Sequence, residues 1–226
     1  MNNLQKMGSL AAIGLGILFV GYMVLLVVVL PTQGYGPGTL NDPANGISFL
    51  ATSRLPMLID FIYLGIAVAF LLIVLALYER LSVVAPSIMP ISVAAGLIAS
   101  VLFLGYAMIN FVGSSVAVST QQHDAFLGSA LYLALRTVAN GLNAAALFAG
   151  GWAILLAGWA ERASQHLPAR LSYLMIGAGL AMMVSFVFLP VGLLAVLLAP
   201  TWSIWLGVSG LTKASRVALV TTYAPR

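Results

Sequence analysis

From Gly8 to Leu30 the sequence runs without a single charged residue, and comparable apolar runs recur down the rest of the chain. A hydrocarbon layer about 30 Å thick takes about 20 apolar residues of helix to cross, so each such run is long enough to span one. Backbone N–H and C=O groups find no water in lipid, which restricts a spanning chain to helices or a closed barrel. The runs lack the in–out alternation of barrel strands, and the helix is the remaining solution. Composition agrees: 62% of the 226 residues are hydrophobic and 6% charged, with mean hydropathy +1.10. A soluble domain needs roughly a quarter of its residues charged to hold a water surface.

Prolines, glycines and polar clusters divide the chain into six spans, at about 8–30, 57–78, 88–118, 125–159, 171–189 and 192–211. The fold class expected is an all-α, integral membrane six-helix bundle forming one transmembrane domain. Gly8 to Leu30 exceeds the roughly 7–15 residues of a signal-peptide core and lacks a convincing cleavage site, so it reads as the first span. Pro31 ends that span, and the Gly-, Pro- and Asn-rich stretch 31–56 reads as a capping loop. Glu79-Arg80 closes the second span, Pro86 and Pro90 introduce the third, and 161–170 reads as a loop. Pro190 and Gly192 mark a tight turn before the sixth span, with a basic tail beyond Leu211.

Lys and Arg flanking spans are retained on the cytoplasmic side. With the N-terminus inside, Lys6, Arg80, Arg162, Arg170, Lys213, Arg216 and Arg226 all lie inside and Arg54 alone outside; Arg136, the ninth basic residue, falls within the fourth span. This asymmetry puts both termini in the cytoplasm and the 31–56 cap outside. The third and fourth spans, at roughly 30–35 residues or about 45–50 Å each, outrun the membrane. Either the pair projects as a hairpin or Ala125 to Leu135 forms an interfacial helix; the short turn between them favours an antiparallel hairpin extended on the outer side, with the cap packed against it.

Asp60 and Arg136 are the two charges inside these spans. A charge in lipid costs several kcal/mol and is expected to face the bundle interior with a partner. Arg136, Asn140 and Asn143 recur at i, i+4 and i+7, on one helix face; Tyr106, Asn110 and Ser114 follow similar spacing, and Tyr63 stands near Asp60. The expectation is a polar cluster of Asp60, Tyr63, Tyr106, Asn110, Arg136, Asn140 and Asn143 centred on an Asp60–Arg136 ion pair. One reading makes this cluster a binding site or ion pathway beneath the cap. The other makes it a structural ion pair with asparagines as interhelical glue, and it stands ahead because a balanced pair suits stability. An unpaired carboxylate would reverse that order.

Other features carry less. Gly141, Ala145 and Ala149, and Gly177 with Ala181, form small-residue faces suited to close packing within the chain or to dimerisation. Trp152, Trp159, Trp202 and Trp205 read as interface anchors or lipid-facing bulk. Gly207-Val208-Ser209-Gly210 matches the Gly-x-Ser-Gly of rhomboid proteases, but His123 and His166 fall in loops on opposite sides and no base reaches Ser209. No span carries a lysine for a Schiff base, and cysteine is absent. Neither a metal nor another cofactor is expected, nor enzymatic activity, and the basic residues flank spans rather than suit nucleic acid.

Three stretches carry a family resemblance: Ala149-Gly150-Gly151-Trp152, then Leu167-Pro168-Ala169-Arg170-Leu171 with Gly177-Ala178-Gly179, and Ile204-Trp205-Leu206 leading to Gly210. In these the second half of the chain resembles the DUF4386-like bacterial six-helix membrane proteins, a family without an agreed activity. The resemblance implies six spans in a bacterial cytoplasmic (inner) membrane and assigns no functional residue. The function expected first is an accessory or structural subunit packed against other membrane-protein subunits or a second copy in the lipid bilayer. The alternative is a small transporter or receptor with its site at Asp60 and Arg136.

Overall fold

The computed structural model describes residues 3–36, 42–165, 167–185 and 189–223, with side chains over the same stretches apart from 189–190, 192–193 and 213–223. Every regular element among them is helical: α1 (Asn3–Thr32), α2 (Pro43–Thr52), α3 (Leu55–Leu81), α4 (Met89–His123), α5 (Ala125–Ser164), α6 (Ala169–Val184) and α7 (Leu189–Tyr223). Five carry windows long and apolar enough to cross a membrane: α1, α3, α4, α5 and, within α7, Leu194–Thr212. At 16 residues, α6 is apolar but shorter.

The six long helices close a ring. Each of α3 to α7 packs against its neighbours in order, and α7 returns to pack on α1, which also packs on α3. Short α2 stands outside this order and lies over α4 and α5. In a lipid solvent the hydrophobic effect does not hold helices together, so cohesion rests on close van der Waals packing and interhelical hydrogen bonds. The ring interior is accordingly dense, with Phe70, Ile73, Ala99, Phe103, Ile154, Met175 and Trp202 in one buried cluster. Outward faces carry exposed Ile17, Val68, Val101 and Trp159.

Pro31 shapes the end of α1 without stopping it. A proline lacks an N–H and its ring presses on the carbonyl four residues earlier. Residues Leu25–Val29 widen into a π turn immediately before it, and the helix resumes through Thr32. Next, α2 begins at Pro43 with Asp42 as its cap, the carboxylate accepting from the Asn45 N–H at 3.2 Å. Ile47 of α2 packs on Ala117 of α4 and Tyr132 of α5, with Leu50 and Val118 alongside.

Helices α4 and α5 have 35 and 40 residues, about 52 and 60 Å at the helical rise. They form the most closely associated pair in the ring. Asp124 alone separates them: its backbone is extended, and its Oδ1 accepts from the N–H groups of Phe126 and Leu127 at 2.9 and 3.0 Å. Beside the turn, a Cβ on Gly128 would stand 2.5 Å from the Gln121 Cα, so glycine is what lets the two backbones meet.

Several boundaries differ from the sequence reading. The segment 161–170 begins as helix: α5 runs on to Ser164 and ends where Gln165 adopts a left-handed backbone, which brings Glu161 into the ring. Pro190 and Gly192 lie within the first turn of α7 instead of forming a turn before it, since a proline is tolerated where helix N–H groups have no partner anyway. Beyond Leu211, α7 continues to Tyr223; the side chains of Lys213 and Arg216, and all of Arg226 and His166, lie outside the described residues.

The small-residue faces also move. Gly141 and Gly177 meet nothing within 4 Å, whereas a Cβ on Gly151 would lie 2.6 Å from the Gly179 carbonyl oxygen across α5 and α6. Trp202 is buried in the core and not at a lipid interface.

Candidate functional site

Below α2 the ring opens into a cavity of about 540 Å³. Its walls come from the ends of five helices. Tyr22, Leu26 and Leu30 contribute from α1, Gly46, Phe49 and Leu50 from the cap, and Asp60 and Tyr63 from α3. Tyr106, Asn110 and Ser114 face it from α4, and Tyr132, Arg136, Asn140 and Asn143 from α5. All seven residues of the sequence-derived polar cluster therefore line one space. The helical spacings account for it: residues three, four and seven apart share a face.

The ion pair expected at its centre is absent. Asp60 is 5% exposed, yet among the described residues it forms no ion pair and no hydrogen bond, and Arg136 does not come within 4.0 Å of it. The guanidinium of Arg136 instead lies 5.9 Å from the centre of the Tyr132 ring, with Nε buried and lacking an acceptor. Asn143 holds its Oδ1 buried without a donor. Asn140 is exposed at the cavity margin. The reason is geometric: opposite charge on two helices does not bring two side chains together when an open space separates the faces that carry them.

Tyrosines fill part of the remaining wall. The Tyr63 hydroxyl donates to the Tyr22 hydroxyl at 3.2 Å, the two rings meeting edge-on at 5.3 Å. Tyr106 packs on Tyr63 with ring centres 4.3 Å apart, and Asn110 Nδ2 donates to the Tyr106 carbonyl at 2.9 Å. Sequence reasoning missed Tyr22 and Tyr132. Tyr132 lies one turn before Arg136 on the face already identified and could have been found by extending the spacing. Tyr22 had no such signal, because its place beside Tyr63 depends on how α1 packs on α3.

A real ion pair lies at the other end of the ring, between Arg80 of α3 and Glu161 of α5, with Glu161 fully buried. The Ser164 hydroxyl lies 3.3 Å from the same carboxylate. The sequence reading puts both charges at helix ends and loops and does not anticipate this pair.

Ser209 shares its turn of α7 with Gly207 and Gly210, which pack on Ser9 near the start of α1, while His123 is the last residue of α4 at the hairpin turn. Among the described residues no group of three or more His, Asp and Glu gathers as a metal site. Comparison with protein-family models, curated proteins and solved structures finds no match.

What the arrangement can do chemically is bind. It offers one carboxylate, one guanidinium, amide groups and tyrosine faces around an otherwise apolar space, the makeup of a small-molecule site.

Proposed function

We propose that this chain is a six-span protein of the bacterial cytoplasmic membrane, with both termini inside, whose cavity binds a small molecule from the outer side as a transporter or receptor does. The observation that supports binding is the state of Asp60 and Arg136: two buried or half-buried charges face one cavity and do not satisfy each other. Ionisable groups at membrane depth are costly and rare unless they pair or serve a pathway or ligand. Here pairing is missing, which favours a site over a structural clasp.

The ring supports a reading with six spans. The short α6 packs on both α5 and α7, each carrying a span, and about 24 Å of helix crosses a bilayer that thins slightly around it. An even number of spans places both termini together, and the Lys and Arg distribution makes that side cytoplasmic.

The chain has no cysteine, so a single introduced thiol reports access cleanly. In intact cells Asn143→Cys, facing the cavity, is expected to react with a membrane-impermeant maleimide. Ser172→Cys, fully buried at the other end, is expected to stay unlabelled. An unreactive Asn143→Cys in a folded protein would remove the binding reading.

One observation favours a second, compatible reading as an accessory subunit. Gly141 and Ala145 on α5 are exposed, and Gly141 has nothing of this chain against it, as at a face where another membrane helix docks. Gly141→Leu is expected to reduce co-purification of a second copy or another subunit without loss of folding; an unchanged assembly would dismiss it.

A further inference from the structure

We infer that the cavity takes a zwitterionic small molecule, its ammonium group at Asp60 and its acid group at Arg136. This rests on the ligand-binding reading above and adds the chemical class of the ligand.

Charge bookkeeping is the first ground. Asp60 and Arg136 line the same cavity but stand beyond ion-pairing distance. A cationic ligand would neutralise Asp60 and leave Arg136 without a counter-charge; an anionic one would do the reverse. Each uncompensated charge in a water-poor site carries a desolvation penalty. A molecule with both charges compensates both and brings no net charge into the membrane.

The surroundings of both charges suit such a ligand. Tyr63 lies one helical turn from Asp60, with Tyr106 tilted against it and Tyr22 meeting it edge-on. Tyrosine faces attract ammonium groups through the ring quadrupole. Arg136 has a tyrosine of its own, the guanidinium lying 5.9 Å from the centre of the Tyr132 ring; its Nε is buried and unused, and Asn140 and Asn143 follow on the same face of α5. A planar guanidinium with amide neighbours suits a carboxylate or phosphate. Leu26, Leu30, Phe49, Ile109 and Leu135 line the rest, so the ligand also carries an apolar portion, and about 540 Å³ lies within the range of small-molecule pockets.

A second, lateral groove reaches the Asp60 end. Leu50, Pro56, Asp60 and Ser114 line both the cavity and this groove, which runs on past Met57, Phe111 and Val118. The ammonium–acid pattern can thus arrive on a free amino-acid-like molecule through the cavity mouth, or on a lipid headgroup whose chains rest in the groove.

The purified full-length chain in detergent tests this by thermal unfolding and equilibrium binding. The free probes are phenylalanine, its amide (cation only) and N-acetylphenylalanine (anion only); the lipid probes are dihexanoyl phosphatidylethanolamine and dihexanoyl phosphatidylglycerol. A zwitterion is expected to bind about tenfold or more tightly than its singly charged analogues. Asp60→Asn and Arg136→Gln, each checked for folding by size exclusion, are expected to lose that preference, and the exchange Asp60→Arg with Arg136→Asp to restore part of it. Preference for phenylalanine identifies a free ligand, preference for phosphatidylethanolamine a headgroup. Equal binding of the amide or the N-acetyl compound overturns the zwitterion while leaving a ligand site. Failure of every probe, with Asn143→Cys still labelled, overturns it too; failure with Asn143→Cys unlabelled overturns the binding reading itself.

Discussion

The two ends of the helical ring handle buried charge in opposite ways. At the Arg80–Glu161 end the carboxylate is closed off by its partner arginine, with a serine alongside. The helices around it touch backbone to backbone at Gly151 and Gly179, and Gly158 fits against Ser172 and Met175. At the cap end Asp60 and Arg136 line one open space among tyrosines and asparagines, with Arg136 Nε and Asn143 Oδ1 buried and unpartnered. An ion pair that is satisfied inside the protein serves the fold. On the proposed binding function, charges held apart by a cavity take a partner from outside the chain, and that difference would separate a clasp from a site.

Substitutions can break or sharpen this contrast, with the largest effects expected at the closed end. Glu161→Ala leaves Arg80 without its partner and is expected to cost about 3–5 kcal/mol, toward the lower figure because Arg80 is partly exposed; unfolding in detergent would show it as a large fall in midpoint. Gly151→Leu drives a side chain into the Gly179 carbonyl and is expected to cost about 1–3 kcal/mol or more, with α5 and α6 separating. Ser92→Ala removes a buried hydroxyl that donates to the Ala153 carbonyl at 2.8 Å between α4 and α5, for about 0.5–1.5 kcal/mol by the same measurement. Asp60→Asn is expected to change stability least, within about 1 kcal/mol of the parent and in either direction, since no partner is lost. A fall as large as that of Glu161→Ala would erase the contrast.

Much of this was legible in the sequence, and the limits have physical causes. Helix type and rough placement follow from long uncharged runs, because lipid permits little else. The seven polar residues were found because helical spacing is read directly from residue numbers: Arg136, Asn140 and Asn143 need no tertiary knowledge to share a face. Contacts between helices were not legible. Opposite charge within the spans is enough to match Asp60 with Arg136, but whether a cavity intervenes depends on helix rotation and on bulky Tyr63 and Tyr106. Glu161 reads as a loop residue because charge usually marks the end of a span, whereas α5 runs past it and buries it. Likewise Pro31 reads as a stop, but a π turn absorbs it.

The contrast is tested most directly by two double-mutant cycles on stability, one with Asp60→Asn and Arg136→Gln, the other with Arg80→Gln and Glu161→Gln. Such a cycle isolates the energy two side chains exchange. A coupling near zero is predicted for Asp60 with Arg136 in the absence of ligand, and about 1.5 kcal/mol or more for Arg80 with Glu161. Coupling at Asp60 and Arg136 as strong as at the closed end would contradict the account, because the cavity charges would then be a clasp as well.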